Sequence, residues 1–575
     1  STSCTLVVTF APAATGVAND AIELTYHNGD TVTTSTRNIT GNGATPAVLS
    51  ISDAPGFDYG TYAVGATADK AFTINNSGGV SAIGVNGTGL NAPFVFKGGG
   101  YPGVGGTCGA TIASGATCTV VASFAPGAVG TFNDDIEINY NDGLNAQMIN
   151  RAVQGTAVTP PALTISNGPA YDYGTLIVTG TADAVLTVTN TGDFNASFVV
   201  GSGLAAPFSF KGGTFPGTGG TCASSLVPAA NCTVVVTYAP TAAGSYTNTL
   251  RIDYSNGATA QNVTRVLQGL AVNAAALAIS DGPTYDYGTR PTGSSTDKSF
   301  TITNTGGTPA TLMLGTGLAA PYSFKGGSYP GTGGTCAATL NPSSTCSVVI
   351  TYAPATTGTH ADALEMNYDN GLSAVMSSRP ITALGVAPAN LAISDGPTYD
   401  YGQQPIGKSP DKTFTITNTG GFGAASISGS GLASPFSFKG GVFPGMGGNC
   451  GTTLAAGANC QMVVTYAVSA AATDTDTIEI GYNDGVAVQG SNRDVIGTGV
   501  TPASVTITDG PAYDFGAGAT GKVVEKTLTL ANAGTFNATG MTGTGLAAPF
   551  TFKGGTYPGT GGTCGNTLVG GANCT

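Results

Sequence analysis

The 575-residue sequence repeats itself with a period of 114 residues that never slips. One cysteine series runs Cys4, Cys118, Cys232, Cys346, Cys460 and Cys574, and a second runs Cys108, Cys222, Cys336, Cys450 and Cys564. The tripeptide Asp-[Tyr/Phe]-Gly begins at Asp58, Asp172, Asp286, Asp400 and Asp514, and a Phe-Lys-Gly-Gly element centres on Lys97, Lys211, Lys325, Lys439 and Lys553. So strict a register limits the chain to one domain design copied in tandem. The period suits a self-sufficient β-sandwich, and exceeds the roughly 20–50 residues of a solenoid unit that folds only against its neighbours. Pro/Ala-rich junctions place complete repeats at 46–159, 160–273, 274–387 and 388–501, with 1–45 the last third of a repeat and 502–575 the first two-thirds of another. Both ends thus fall inside a repeat, which predicts a window on a longer array. Pairing of 502–575 with residues 1–45 of a following chain is disfavoured, because Cys4 and Cys574 would compete for Cys564.

The register also orders the cysteines. Each member of the first series but Cys4 has a partner ten residues earlier, predicting the disulfides Cys108/Cys118, Cys222/Cys232, Cys336/Cys346, Cys450/Cys460 and Cys564/Cys574. Cys4 is left unpaired because its partner would precede Ser1. A structural zinc site takes four ligands, whereas each repeat supplies two Cys and no recurring His. Regular pairs in a chain otherwise free of Cys predict an oxidising, extracellular compartment.

Local patterning is that of strands. In repeat 160–273, Val234, Val236 and Tyr238 alternate with Thr233, Val235 and Thr237; Leu250, Ile252 and Tyr254 alternate with Arg251 and Asp253; Leu186 and Val188 alternate with Thr187 and Thr189. Phe208 and Phe210 bracket Ser209, and Asn190-Thr-Gly192, Ser255-Asn-Gly257 and the glycine-rich 211–220 segment supply turns. Seven or eight strands per repeat and no helical periodicity predict an all-β fold, two antiparallel sheets packed face to face. The short Pro/Ala junctions read as stiff spacers between sandwiches about 35–45 Å long.

Composition excludes several functions. Charged residues make up only 9% of the chain, the net charge is −13, and no Lys/Arg cluster exists to bind nucleic acid or an anionic membrane. No apolar run approaches the roughly 18 residues of a spanning helix and no signal peptide opens the chain, so no membrane contact is expected from this segment and any export signal or anchor is expected outside it. His27 and His360 do not recur and read as incidental surface residues, so no Ser/His/Asp constellation repeats. Asp134, Asp135 and Glu137 lie along one hairpin strand and read as a solvated edge, not as a glycosidase pair. The chain is expected to be no enzyme, with no catalytic residue, no cofactor and no metal.

Three recurring groups admit a functional reading beside the structural one. The Lys97 series reads as a lysine closing a Phe-x-Phe strand and pairing with a carboxylate such as the Asp58 series; the sharper alternative is an isopeptide cross-link. Asp281 and Asp286 could together bind calcium near a junction, although Asn167 stands at the first position in repeat 160–273. Aromatic pairs such as Tyr285/Tyr287 could line a glycan groove, but read more simply as a strand end on the core. The Arg37, Arg151, Arg265, Arg379 and Arg493 series completes the recurring cations.

The segment from Phe300 to Thr311 (Phe-Thr-Ile-Thr-Asn-Thr-Gly-Gly-Thr-Pro-Ala-Thr) and the segment from Cys336 to Pro354, closing on Thr-Tyr-Ala-Pro, resemble bacterial choice-of-anchor D repeats, which are similar to the ASPM/SPD-2/Hydin immunoglobulin-like modules. The resemblance covers every repeat. It implies a tandem array of Ig-like β-sandwich domains in a large bacterial cell-surface or secreted protein, and carries over no catalytic residue. The expected function is the structural shaft of a long extracellular fibre, stalk or surface filament, its partners being further copies of itself. The alternative is a repeated adhesin module that binds a glycan or surface partner by avidity.

Overall fold

The computed structural model describes residues 2–575, which form strands and contain no helix. They divide into two compact units, Ser1–Asn273 and Ala274–Thr575, each holding two complete repeats.

Repeat 46–159 shows the design. Its strands are β1 (Leu49–Ile51), β2 (Gly56–Ala63), β3 (Ala68–Asn76), β4 (Ala82–Thr88), β5 (Phe94–Phe96), β6 (Thr111–Ile112), β7 (Thr117–Phe124), β8 (Gly130–Asn141) and β9 (Ala146–Val158). They form two sheets, ordered β1-β3-β7-β5 and β2-β9-β8-β4-β6. Every pairing is antiparallel except β2 with β9, which is parallel. This is the tandem Ig-like β-sandwich expected from the sequence. Repeats 274–387 and 388–501 carry eight strands each, since their β6 pairing shrinks to the single bridges Ala310↔Leu340 and Ala424↔Leu454.

Period-two patterning puts the core between the sheets. Phe72 and Ile74 of β3, Val120 and Phe124 of β7, and Ile136 and Ile138 of β8 are all fully buried. The aromatic centre is stacked, with the rings of Phe94 and Phe124 4.9 Å apart. One expected outward position differs. Val121, Val235, Val349 and Val463 lie on the outer face of β7 and are nonetheless buried. The glycine-rich loop folds back beside them: in the first complete repeat Lys97 N donates to Val121 O at 2.9 Å and Val121 N to Pro102 O at 2.8 Å. The loop thereby continues the hydrogen bonding of β5 and covers what would be an open edge.

A buried amide ties one end of each repeat together. Asn76, Asn190, Asn304 and Asn418 are 0% exposed. The Asn418 Nδ2 donates to the carbonyls of Phe422, Leu454 and Ala455 (2.8, 3.1 and 3.3 Å), while its Oδ1 accepts from Asn390 N (3.1 Å) and Gly420 N (3.0 Å). One side chain thus joins the incoming junction, the turn after the β3 counterpart and the β6 region.

Within each compact unit, the two complete repeats meet at the tip of the later repeat's β8–β9 hairpin. In the unit Ala274–Thr575, Gly485 at the tip of the hairpin of repeat 388–501 has φ +96, and a Cβ there would lie 2.6 Å from the Phe422 ring and 2.9 Å from Pro291 of the preceding repeat. Only glycine fits both the left-handed backbone and this close approach. The unit Ser1–Asn273 repeats the arrangement, with Gly257 beside Ala63 and Phe194.

Removing the amide strands several buried backbone groups at once. Asn418→Ala in a repeat comprising 388–501 is expected to cost about 3 to 5 kcal/mol of unfolding free energy in chemical denaturation. A loss below about 1 kcal/mol would show that water replaces the amide.

Candidate functional site

The recurring residues lie at three places in each repeat: the bend between β1 and β2, the outer face of the first sheet, and the disulfide-clamped loop. The first two are built from residues far apart in the chain, the third from cysteines ten positions apart.

At the bend the first strand leaves one sheet for the other. Arg151 projects from β9 and donates from Nε to Ser52 O (2.7 Å), from Nη1 to Pro55 O (2.8 Å) and from Nη2 to Ile51 O (2.5 Å). Arg265, Arg379 and Arg493 reach the equivalent isoleucine carbonyls of Ile165, Ile279 and Ile393. Beyond the bend, Asp58 Oδ1 accepts from Gly60 N (2.7 Å) and Oδ2 from Gln154 Nε2 (2.9 Å), and Gly60 has φ +83 where β2 bulges against β9. The aromatic residue between them turns inward. Tyr59 donates its hydroxyl to Ala122 O on β7 (2.8 Å), as Tyr173, Tyr287 and Tyr401 do to Val236, Ile350 and Val464. Burial raises the hydroxyl pKa of all four tyrosines. The Asp-[Tyr/Phe]-Gly motif is therefore a bulge that aims a tyrosine from one sheet into the other. The Tyr285/Tyr287 pair belongs to the core side, with Tyr287 buried and the Lys298 ammonium 4.6 Å over the Tyr285 ring.

The lysine series does not pair with the Asp58 series. Lys97, Lys211, Lys325 and Lys439 pair with Asp69, Asp183, Asp297 and Asp411 at 2.6 to 2.8 Å, and Lys553 with Glu525 at 2.7 Å. The reason is the bend: Asp58 has crossed into the second sheet, whereas Lys97 closes β5 in the first. Asp69 reaches it from β3 across β7, and Ser123 on β7 donates to the same carboxylate at 2.6 Å. The hydrogen bond from Lys439, then that from the Thr465 hydroxyl, holds the Asp411 carboxyl below its ordinary value; Asp69, Asp183 and Asp297 are lowered in the same way. Both partners are substantially exposed, 43% for Lys439 and 35% for Asp411, which describes a solvated ion pair and not the enclosed site an isopeptide condensation needs.

The two carboxylates weighed for calcium are each committed elsewhere. Asp281 pairs with Lys298 at 2.7 Å, and Asp286 accepts from Gly288 N at 2.8 Å. The equivalents Lys70–Asp53, Lys412–Asp395 and Lys526–Asp509 are also ion pairs. In repeat 160–273 both partners change together, Asn167 standing opposite Ala184. Among the described residues no group of three or more His, Cys, Asp or Glu side chains could hold a metal ion.

The remaining candidates have simpler places. Cys108–Cys118, Cys222–Cys232, Cys336–Cys346, Cys450–Cys460 and Cys564–Cys574 are joined, and Cys4 is free and exposed. His27 is exposed at a strand end. His360 is not a surface turn residue: it lies within the β8 counterpart, half-buried, with Nδ1 2.8 Å from the Tyr352 hydroxyl. Phe132, Tyr246 and Asp474 occupy that position in the other complete repeats, so the position packs beside β7 whatever its side chain. Asp134 is more than a solvated edge, since Oδ2 accepts from Asn91 N at 2.7 Å and latches the loop between β4 and β5; Asp362 and Asp476 do the same for Ala319 and Ala433.

Two series that carry much of the architecture, Asn76 and Arg151, show in the sequence only as recurrences. Asn76 sits in a segment that reads as a turn, and Arg151 meets its acceptors about 100 residues away, beyond any local pattern. Their return at the same place in each register is the signal that singles them out.

Among known proteins, the HYDIN/CFA65/VesB-like, Ig-like domain family matches residues 279–378, within one repeat. Among curated proteins, none matches the chain. Solved structures similar to it include the protocadherin GammaB4 extracellular domain, at 10% identity over 84% of this chain and 72% of that one, with a TM-score of 0.32. The Vibrio cholerae VesB protease matches at 17% identity over 19% of this chain and 31% of that one, TM-score 0.16. Domain 7 of human CEP192, an ASH/PapD-like domain, matches at 16% identity over 20% of this chain and 87% of that one, TM-score 0.16.

Two outcomes check the ion pairs. The Asp411 carboxyl has a lower pKa folded than unfolded, so its contribution is complete above the unfolded value and is lost as pH falls through the folded one. Relative to Asp411→Asn, a repeat comprising 388–501 should hold an advantage of about 0.2 to 1 kcal/mol at neutral pH that disappears on acidification below the ordinary carboxylate range. Intact mass of the folded chain should show no loss of water at the Lys97 series, as each Lys–Asp amide would require.

Proposed function

We propose that the chain is a structural segment of a long extracellular fibre, stalk or surface filament, acting by mechanics and not by catalysis. One observation carries the reading: the recurring Arg, Asn and Lys–Asp side chains of the complete repeats are committed to internal ties. Arg clamps the strand bend, Asn closes one end, Lys and Asp bridge the first sheet, and a disulfide locks the loop. The disulfides support an oxidising, extracellular setting, and the resemblance to choice-of-anchor D repeats supports a bacterial cell surface.

The alternative, avidity for a glycan or surface partner, has its own test. Tight binding by one isolated repeat on a glycan array, moved by exchanging the glycine-rich loop, would replace the structural reading.

Pulling the chain from its ends tests the mechanical role directly. Regular unfolding events of uniform length are expected, one per complete repeat. In each, the ten-residue step from one paired cysteine to the other stays locked while the disulfide holds. Adding reductant should lengthen every event by about 30 Å, the extended length of that segment less the gap the bond already spans. Events unchanged by reductant would mean the clamp bears no part of the extension.

A further inference from the structure

The outer face of the second sheet changes character along the chain while the core beneath it does not. Where β4 bulges, one residue is left-handed in every repeat: Gly84, Phe198, Leu312, Ser426 and Gly540, with φ of 64°, 55°, 53°, 52° and 68°. Glycine adopts this conformation freely, whereas Phe and Leu are strained in it. Phe198 and Leu312 are nevertheless 78% and 76% exposed, so no burial within the chain offsets the strain. Each has apolar company on the same face. Val200 follows Phe198 at 49% exposure; Leu314 lies opposite Asn367, which in turn lies opposite Met376, and both Leu314 and Met376 are 53% exposed. In the flanking repeats the Leu312 and Leu314 positions hold Gly84 and Asn86, or Ser426 and Ser428.

Charge on this face changes at the same place. The next outward position on β8 is Glu137, Glu365 and Glu479 in three complete repeats and Arg251 in repeat 160–273. Arg251 is 51% exposed, and its Nε and Nη2 both meet Asp253 Oδ1 on its own strand at 2.6 Å. Glu365 makes no ion pair among the described residues and accepts only a long hydrogen bond of 3.4 Å from the Thr316 hydroxyl. The two apolar faces thus bear opposite charges at one register position.

We infer that the second-sheet face of repeat 160–273 docks on that of repeat 274–387 in a second copy of this chain. Phe198 and Val200 meet Leu312, Leu314 and Met376, and Arg251 is set against Glu365. Strained, exposed apolar residues explain themselves when a partner covers them, and the reversed charge selects which face that partner presents. The inference deepens the proposed fibre role by supplying a lateral contact between chains, and rests on that reading only for its setting.

Sedimentation of the 575-residue chain tests it, in a Cys4→Ser background so that no intermolecular disulfide contributes. Reversible self-association is expected. Arg251→Glu and Glu365→Arg should each weaken it about tenfold or more, and the two together should restore it. Phe198→Ser with Leu312→Ser should also weaken it while leaving Tm unchanged or raised, because serine already occupies this position in repeat 388–501. A chain monomeric at its highest soluble concentration, an association indifferent to either charge reversal, or a double reversal that fails to restore association would overturn the inference. None of these results alters the pulling pattern of a single chain, so failure of the face and failure of the mechanical role are distinguishable.

Discussion

Each repeat closes through the parallel pairing of β2 with β9. The first strand begins in one sheet, bends, and finishes in the other beside the last strand of the domain, so the repeat is complete only when its two extremes meet. Hydrophobic burial in this design is a long-range event, achieved by bringing together residues about 100 positions apart.

Polar chemistry secures that closure. A bend between two sheets frees backbone carbonyls from ladder pairing, and an arginine fork on the returning strand satisfies them with charge-assisted hydrogen bonds. The buried Asn series does the same at one end, where an amide can donate and accept together and so match loops that expose both kinds of group. Exposed Lys–Asp pairs add little free energy singly. Their value is geometric, since each joins the end of β5 to β3 across β7. In a chain with so few charges, the recurring arginine is placed where the backbone needs partners.

Between repeats the same logic produces contact without a long linker. The hairpin tip of one repeat approaches the preceding repeat closely within each compact unit, through left-handed glycines at Gly485 and Gly257. The variable residues lie elsewhere, on the outer face of the second sheet, where Phe198, Leu312 and Arg251 set two repeats apart from their neighbours. Recurring ties and variable faces are thereby separated in space.

Periodicity carries a great deal in this protein. The 114-residue register, the alternation of Leu186/Val188 with Thr187/Thr189, and the regular cysteine spacing are local or translational patterns, and they specify repeats, strands and disulfide partners before any contact is known. What they do not specify is which strand joins which sheet. Recurrence and opposite charge match the Asp58 series to the Lys97 series; the bend after β1 puts the two in different sheets, and Asp69 takes the lysine instead. His360 reads as incidental because it does not recur, yet its position faces Tyr352 at the edge of the core. Local chemistry sets strands, turns and their period. Partners are chosen by the path of the backbone in three dimensions, and that path exists only once the two ends of a repeat have paired.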